Sequence, residues 1–464
     1  MTNRSHQLRR GRRENHPRHR YTGPVAIPET PTNPLITGET TTPGAYQSPL
    51  LTTLHGAADA PDGHPSRGVA WHYGNPLGEQ RAFERSAGVV DRSHQRVLRI
   101  TGDDALTWLN SLISQKVDAL MPGMTTHGLI LDAKGHIEHA VTIVRPRGDA
   151  PDTDDRQRPE ESHAESGNQP LLYLICTPEH VDALRTYLTQ MVFWSHVTVE
   201  DADVALITIM GPDTSAIINQ ITLEPHHWCH NTITFHDHVI GDNDSIHLLV
   251  PTAALKDTFT ALTNAGATPT GLMAYEAERI KAVIPDVALD LDGRTVPHEV
   301  EAFIGPHASG PTQLATANEG PSASYVHLNK GCYRGQETVS RIHNLGRPPR
   351  LLVKLHIDGY SGHRPSPGDA ITSGGRTVGR IGAVIDDCDE GPIALGLVKR
   401  AIVAKTLTNK TQVNSASDHS TPAPTAPPLE AQGIALAIDP DTTHLDDAPK
   451  AGRYAVDKLR GKAE

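Results

Sequence analysis

The sequence predicts an α+β protein with mainly antiparallel sheets and a small β-barrel toward its C-terminal end. Three observations carry that reading. Strands and helices follow in the order strand–helix–strand–strand–helix, with repeats, not in the strict alternation of a parallel sheet. From Leu351 onward, short strand-like segments are separated by Pro-Gly and Gly-Gly turns, the pattern of a small closed sheet. Of 36 prolines, 22 fall in the stretches 1–65, 146–170, 305–324 and 406–464, which hold no Phe, Trp or Cys. Those stretches are expected to be flexible, leaving the rest of the chain to build the core.

The elements follow in order. Val97–Thr101 alternates and reads as a strand. Asp103–Gln115 reads as a helix capped by Gly102-Asp103-Asp104, with Leu106, Leu109, Leu112 and Ile113 as its apolar stripe. Gly128–Leu131 and Ile137–Val144 read as two strands around the turn Asp132-Ala133-Lys134-Gly135. Leu171–Cys176 is a strand, and a helix runs from about Pro178 to Met191. Val204–Met210 and Ile246–Val250 are strands, with a short helix at Asp213–Ile221 between them. Thr252–Ala265 is a helix closed by Gly266, and Met273–Ala282 is a helix ending before Pro285. Leu351–Ile357, Ala370–Thr372, Thr377–Ile385 and Ile393–Val398 are the barrel strands.

The expected organisation is a disordered basic, Pro-rich tail over 1–67, an α+β domain over 68–200 and a second over 201–349. The barrel occupies 350–405 and a disordered tail 406–464.

Composition narrows the function. Lys and Arg number 42 against 54 Asp and Glu, net −12, which argues against a dedicated nucleic-acid binder. Four cysteines with no CxxC pair are too few for a disulfide scaffold and point to a reducing compartment. The bacterial cytoplasm is the expected location and a monomer the expected state. No apolar run is long enough to cross a membrane. The arginine-rich first twenty residues read as a disordered tail; an import signal or a nucleic-acid-touching arm are the alternatives.

The densest chemical signal is Lys330-Gly331-Cys332-Tyr333-Arg334-Gly335-Gln336-Glu337. A helix is expected to start near Gly335, with Glu337 in its first turn, where an acid suits the macrodipole. Cys332 would sit just ahead of that helix end, between the cations of Lys330 and Arg334, an environment that stabilises a thiolate. The alternative is a small buried Cys in a tight turn. His226-His227-Trp228-Cys229-His230 lacks paired ligand spacing, so no metal site is expected.

KGCYRGQE resembles the K-G-C-[YF]-x-G-Q-E signature of the YgfZ family, folate-binding proteins related to the T-protein (aminomethyltransferase) of the glycine cleavage system. Arg341–Arg350, Gly88–Ser93 and Asp292–Glu299 also resemble the actinobacterial members, and the resemblance covers about residues 68–404. It implies a three-domain ring around a cavity that binds tetrahydrofolate and is lined by all three domains. It also implies a role in maintaining iron–sulfur client proteins, which indirectly supports tRNA modification. Cys332 becomes the key thiol at the cavity mouth, flanked by Lys330 and Arg334. Gly331 and Gly335 belong to the motif, and Tyr333, Gln336 and Glu337 to the folate site. Similarity to the T-protein extends the folate site to Arg279 and Asp242. Gly135-His136-Ile137-Glu138-His139-Ala140 stands where T-proteins carry Gly-Gly-[VI]-x-Asp-Asp, whose first Asp is catalytic. His139 in that place argues against aminomethyl transfer.

Overall fold

Most elements lie where the apolar periodicity places them, in a computed structural model that describes residues 46–146, 170–222, 233–236, 245–305, 324–360, 362–415 and 427–445. In chain order the first are α1 (Pro49–Thr53), β1 (Ala58–Asp59), β2 (Ala70–His72), α2 (Pro76–Gln80), α3 (Ala82–Arg85), β3 (Gly88–Asp91) and β4 (Arg96–Thr101). Next come α4 (Ala105–Leu112), β5 (Thr125–Leu131), β6 (Ile137–Val144), β7 (Leu171–Cys176), α5 (Val181–Gln190), β8 (Thr198–Asp201), β9 (Val204–Met210) and α6 (Thr214–Thr222). Then follow β10 (Ile233–His236), β11 (Ser245–Pro251), α7 (Leu255–Asn264), β12 (Thr268–Pro269), α8 (Leu272–Lys281), α9 (Val287–Asp290), α10 (Glu301–Ile304) and α11 (Gln336–Leu345). The last are β13 (Arg350–Ile357), β14 (Ala370–Ser373), β15 (Arg376–Asp387), β16 (Gly391–Lys399), α12 (Arg400–Ser415), β17 (Leu429–Ala431) and β18 (Ile434–Ile438).

The first five-stranded sheet runs β5-β6-β7-β4-β8 and is antiparallel throughout. Its inner face packs on α4 and α5 through Ile100, Leu109, Ile143 and Leu184. The second runs β10-β11-β9-β3-β12, antiparallel except for the β12–β3 pair. Ile207, Leu248, Phe259 and Leu262 fill the layer between it and α7. A closed antiparallel barrel, β13-β16-β15-β14-β17-β18, completes the architecture.

The structure corrects several expectations. Gly88–Asp91, assigned to the first domain, is a strand inside the second sheet, buried along its whole length between β9 and β12. Residues 46–67 are not tail. Ser48 caps α1 with Pro49 at its start, and Leu50 is fully buried in the core of the second sheet. Nor are 427–438 tail: β17 and β18 close the barrel. Gln432 and Gly433 take positive φ (52° and 77°) in a two-residue hairpin turn, and Leu429, Ala431, Ile434, Leu436 and Ile438 alternate inward. Asp104 does not cap α4; its carboxylate accepts from His196 N instead. Residues 406–415 are not tail either, since they continue α12 from the end of the barrel. Residues 1–45, 147–169, 306–323, 416–426 and 446–464, together with Asp242 and the cluster His226–His230, lie outside the described residues.

The segment Asp292–Glu299 is the joint between the α+β body and the barrel. Arg350, the first residue of β13, donates to both carboxylates: Nη1 to Asp292 Oδ2 at 2.6 Å and Nε to Glu299 Oε1 at 2.8 Å. Burial raises the Asp292 carboxyl, but the Arg350 hydrogen bonds and charge outweigh it and hold it down to about 2. Because the folded value lies below the unfolded one of about 4, this pair stabilises the fold above pH 4 and stops doing so near pH 2. The difference in melting temperature between wild type and Arg350→Met is therefore expected to shrink as pH falls through that window. A pH-independent difference would contradict this account.

Candidate functional site

The motif Lys330–Glu337 is built as a clamp on the first sheet. α4 ends at Leu112 and leaves carbonyls without helical partners. The Lys330 Nζ is buried and donates to three carbonyls there, Asn110 O at 2.5 Å, Ile113 O at 2.6 Å and Gln115 O at 2.9 Å. Burial pushes its pKa down to about 8, while the carbonyl cage works to keep the proton. Tyr333 is buried in the interdomain core beside Leu131, Ile137 and Val339. Gly335 caps α11 with φ 81°, and a Cβ there would lie 2.7 Å from Asp132 O and 2.9 Å from Gly135 Cα. Gly135 in turn has φ 84°, and its Cβ would meet Thr338 Cβ at 2.7 Å. Two glycine turns thus interlock, one from the β5–β6 hairpin and one from the start of α11.

Cys332 is exposed, which removes the buried-cysteine alternative. Neither cation expected beside it is idle. Lys330 spends its three donors on carbonyls, and Arg334 pairs with Glu138 at 3.0 Å and sits 5.8 Å over the Tyr187 ring. Gln336 Nε2 donates to Lys330 O at 3.4 Å, and Glu337 and Gly331 are exposed. The structure therefore makes Lys330, Tyr333, Gly335 and Gln336 supports that present Cys332 on the surface.

A cavity of about 120 Å³ opens between the two α+β bodies. α8 presents Leu272, Tyr275, Glu276 and Arg279 to it, the i, i+3, i+4, i+7 spacing of one helix face. Arg92 and His94 approach from the loop after β3, Asp286 from the loop before α9, and Ser66 from the segment expected as tail. Burial, with Arg92 and His64 adding, pushes His94 down to about 3, so its ring is neutral. No residue of Lys330–Glu337 lines this cavity, and the barrel, expected to form one wall, contributes none either.

Arg279 reaches the cavity wall as the centre of a buried ion triad. Its Nε donates to Glu276 Oε2 at 2.7 Å and its Nη1 to Asp290 Oδ2 at 2.7 Å and Ile284 O at 3.1 Å. Asp290 passes the connection to the barrel, where β15 bulges between Ile381 and Val384. Asp290 Oδ1 accepts from Ala383 N at 2.6 Å, and a Cβ on Gly382 would lie 2.2 Å from that oxygen.

His139, on β6, turns into the first domain. It is buried edge-on against His180 at 5.6 Å, and burial pushes it down to about 3, so its ring is uncharged at neutral pH. Ala140, its neighbour, lines the cavity with a methyl group. Two clusters, Glu84–Cys388–Asp389 and His356–Glu390–Asp439, bring ligand-type atoms within 4.8 Å of one another. Each already holds an internal cation: Arg81 on Asp389 at 2.6 Å, and Lys354 on Glu390 and Asp439, both at 2.7 Å. Sequence reasoning missed Tyr275 and Arg92 as cavity residues; the spacing along Leu272–Arg279 was the signal for the first.

Comparisons with known proteins agree with this architecture. Residues 68–150 match the GCVT N-terminal domain. The chain is 22% identical over 245 residues to an aminomethyltransferase of Xylella fastidiosa, covering 49% of this chain and 61% of that protein. It is 24% identical over 359 residues to the putative transferase At1g60990, chloroplastic, of Arabidopsis thaliana, covering 74% and 72%. The glycine cleavage system aminomethyltransferase T of Bartonella henselae shares the fold, with a TM-score of 0.60 at 16% identity over 82% of this chain and 93% of that one. The chain spans about three fifths of the first of these relatives (61%). Among the described residues no helix is long and apolar enough to cross a membrane. The chain therefore has an aminomethyltransferase-type fold whose residues 68–150 match the GCVT N-terminal domain.

Proposed function

We propose that this chain binds tetrahydrofolate in the cavity beneath α8 and serves iron–sulfur client proteins in the cytoplasm as a monomer, with Cys332 as its working thiol. The observation that carries the reading away from aminomethyl transfer is at His139–Ala140. Where the T-protein pattern places its catalytic carboxylate, this chain has a buried neutral imidazole and a methyl group. Neither can take up the charge that develops on a departing amine.

The cavity's polar groups suit the pyrimidine end of a pteridine. Glu276 and Asp286 would accept from its amino and ring N–H groups. Tyr275 and Arg92 would hold the ring in place. The bound folate would supply one-carbon chemistry. The chain's own residues hold and shield it, while the Lys330 cage and the interlocked glycines keep Cys332 exposed.

Calorimetry with tetrahydrofolate is expected to show binding, and a glycine-cleavage assay with the partner proteins to stay blank. In a deletion strain, Cys332→Ala is expected to leave iron–sulfur enzyme activities unrestored. Turnover in the glycine assay would favour the second reading, an aminomethyltransferase, which the similarity to the Xylella fastidiosa aminomethyltransferase supports. Full rescue by Cys332→Ala would remove the thiol from the mechanism.

A further inference from the structure

The loop after β3 gives the cavity three side chains, Arg92, His94 and Gln95. The loop is shaped by its own hydrogen bonds: Asp91 Oδ1 accepts from Ser93 N at 3.0 Å, and Gln95 N donates to Arg92 O at 2.9 Å. Arg92 lies with its guanidinium carbon 4.1 Å from the centroid of the Tyr275 ring and can only donate. His94 and Gln95 form a pair of a different kind.

His94 is 3% exposed, and burial keeps its ring neutral, so it has one donor nitrogen and one acceptor nitrogen. Gln95 Nε2 lies 3.0 Å from His94 Nε2. An amide nitrogen only donates, so His94 Nε2 accepts and the ring proton sits on Nδ1. Nδ1 is buried and meets no hydrogen-bond partner among the described residues. The amide keeps its oxygen as an acceptor. The pair therefore offers the cavity one donor and one acceptor. Turning the amide over moves the ring proton to Nε2 and reverses both roles, so the alternation survives. A buried ring nitrogen without a partner costs free energy that a ligand in the cavity returns.

We infer that His94 and Gln95 read the oxidation state of the pteridine, admitting the tetrahydro form and disfavouring the fully oxidised one. This rests on the folate reading above and adds the residues that choose the form of the ligand. In the tetrahydro ring N5 and N8 each carry a hydrogen. Across the ring fusion O4 stands beside N5 and N1 beside N8, and both accept. Either flanking edge thus places a donor next to an acceptor and matches the pair. In folic acid N5 and N8 are imine nitrogens, so each of these edges presents two acceptors. One of the two then faces the acceptor of the pair, whichever way the amide sits. Glu276 and Asp286 would meet the 2-amino and N3–H groups, which are the same in both forms, so the choice falls to His94 and Gln95.

The test is calorimetric binding of tetrahydrofolate and folic acid to the full chain, to His94→Phe and to Gln95→Leu. Wild type is expected to bind tetrahydrofolate at least about tenfold more tightly than folic acid. Each substitution is expected to weaken tetrahydrofolate by about tenfold and to change folic acid by less than about threefold, so the preference collapses. Gln95 is half-buried in a loop, and its variant serves if His94→Phe melts early without ligand. Equal or reversed preference in wild type, or a preference that survives both substitutions, overturns the inference and leaves the folate reading standing. A loss shared equally by both folates also overturns it, because the pair would then shape the cavity without reading the ring. Binding of neither folate by wild type overturns both.

Discussion

Arg279→Met is expected to destabilise the protein by about 3–5 kcal/mol, the cost of orphaning buried carboxylates. Arg279 is 4% exposed and Asp290 is fully buried, so neither Glu276 nor Asp290 can turn to water when the guanidinium is gone. Asp290 also holds Ala383 N across the β15 bulge, so the damage should reach the joint with the barrel. The penalty carries a pH signature. At pH 5 the folded variant can protonate an orphaned carboxylate, so its deficit relative to wild type should be smaller than at pH 7. Denaturant melts at both pH values decide the matter. A variant with wild-type stability and weakened tetrahydrofolate binding would instead make Arg279 a ligand contact, the role that resemblance to the T-protein suggests.

A chain ended at residue 405 is expected to lose its barrel, whereas one ended at residue 445 should keep it. β18 pairs with β13 and β17 with β14, so the shorter chain leaves both edges open. It also strips Leu429, Ile434, Leu436 and Ile438 from the barrel interior, each 7% exposed or less. At about 1.5–3 kcal/mol per large apolar side chain, the loss is on the order of 6–12 kcal/mol, comparable to the whole stability of a domain. Lys354 would keep Glu390 but lose Asp439. The readout is the near-ultraviolet dichroism and solubility of the two chains. A soluble, native-like 405-residue chain would show that β17 and β18 are dispensable.

The sequence by itself determined the larger elements. Alternation in Ile137–Val144 and Leu171–Cys176, and the stripe of the helix before Gly266, reflect burial on one face, and that periodicity is local information. It also determined the chemistry-bearing motif, because Gly335 needs a positive φ that only a turn opening α11 explains.

Tertiary structure alone decided which elements close on which. β3 reads the same whether it joins the first sheet or the second. β17 and β18 are too short to declare themselves, and become strands because β13 and β14 offer open edges. The roles of the charged residues were decided in the same way. Lys330 and Arg279 looked like a thiol's neighbour and a ligand contact, but the carbonyls and carboxylates that engage them come from remote parts of the chain. Arg92 stands out for the converse reason: no distant carboxylate among the described residues comes to meet it, and a sequence does not record the absence of a partner that folding would have to supply.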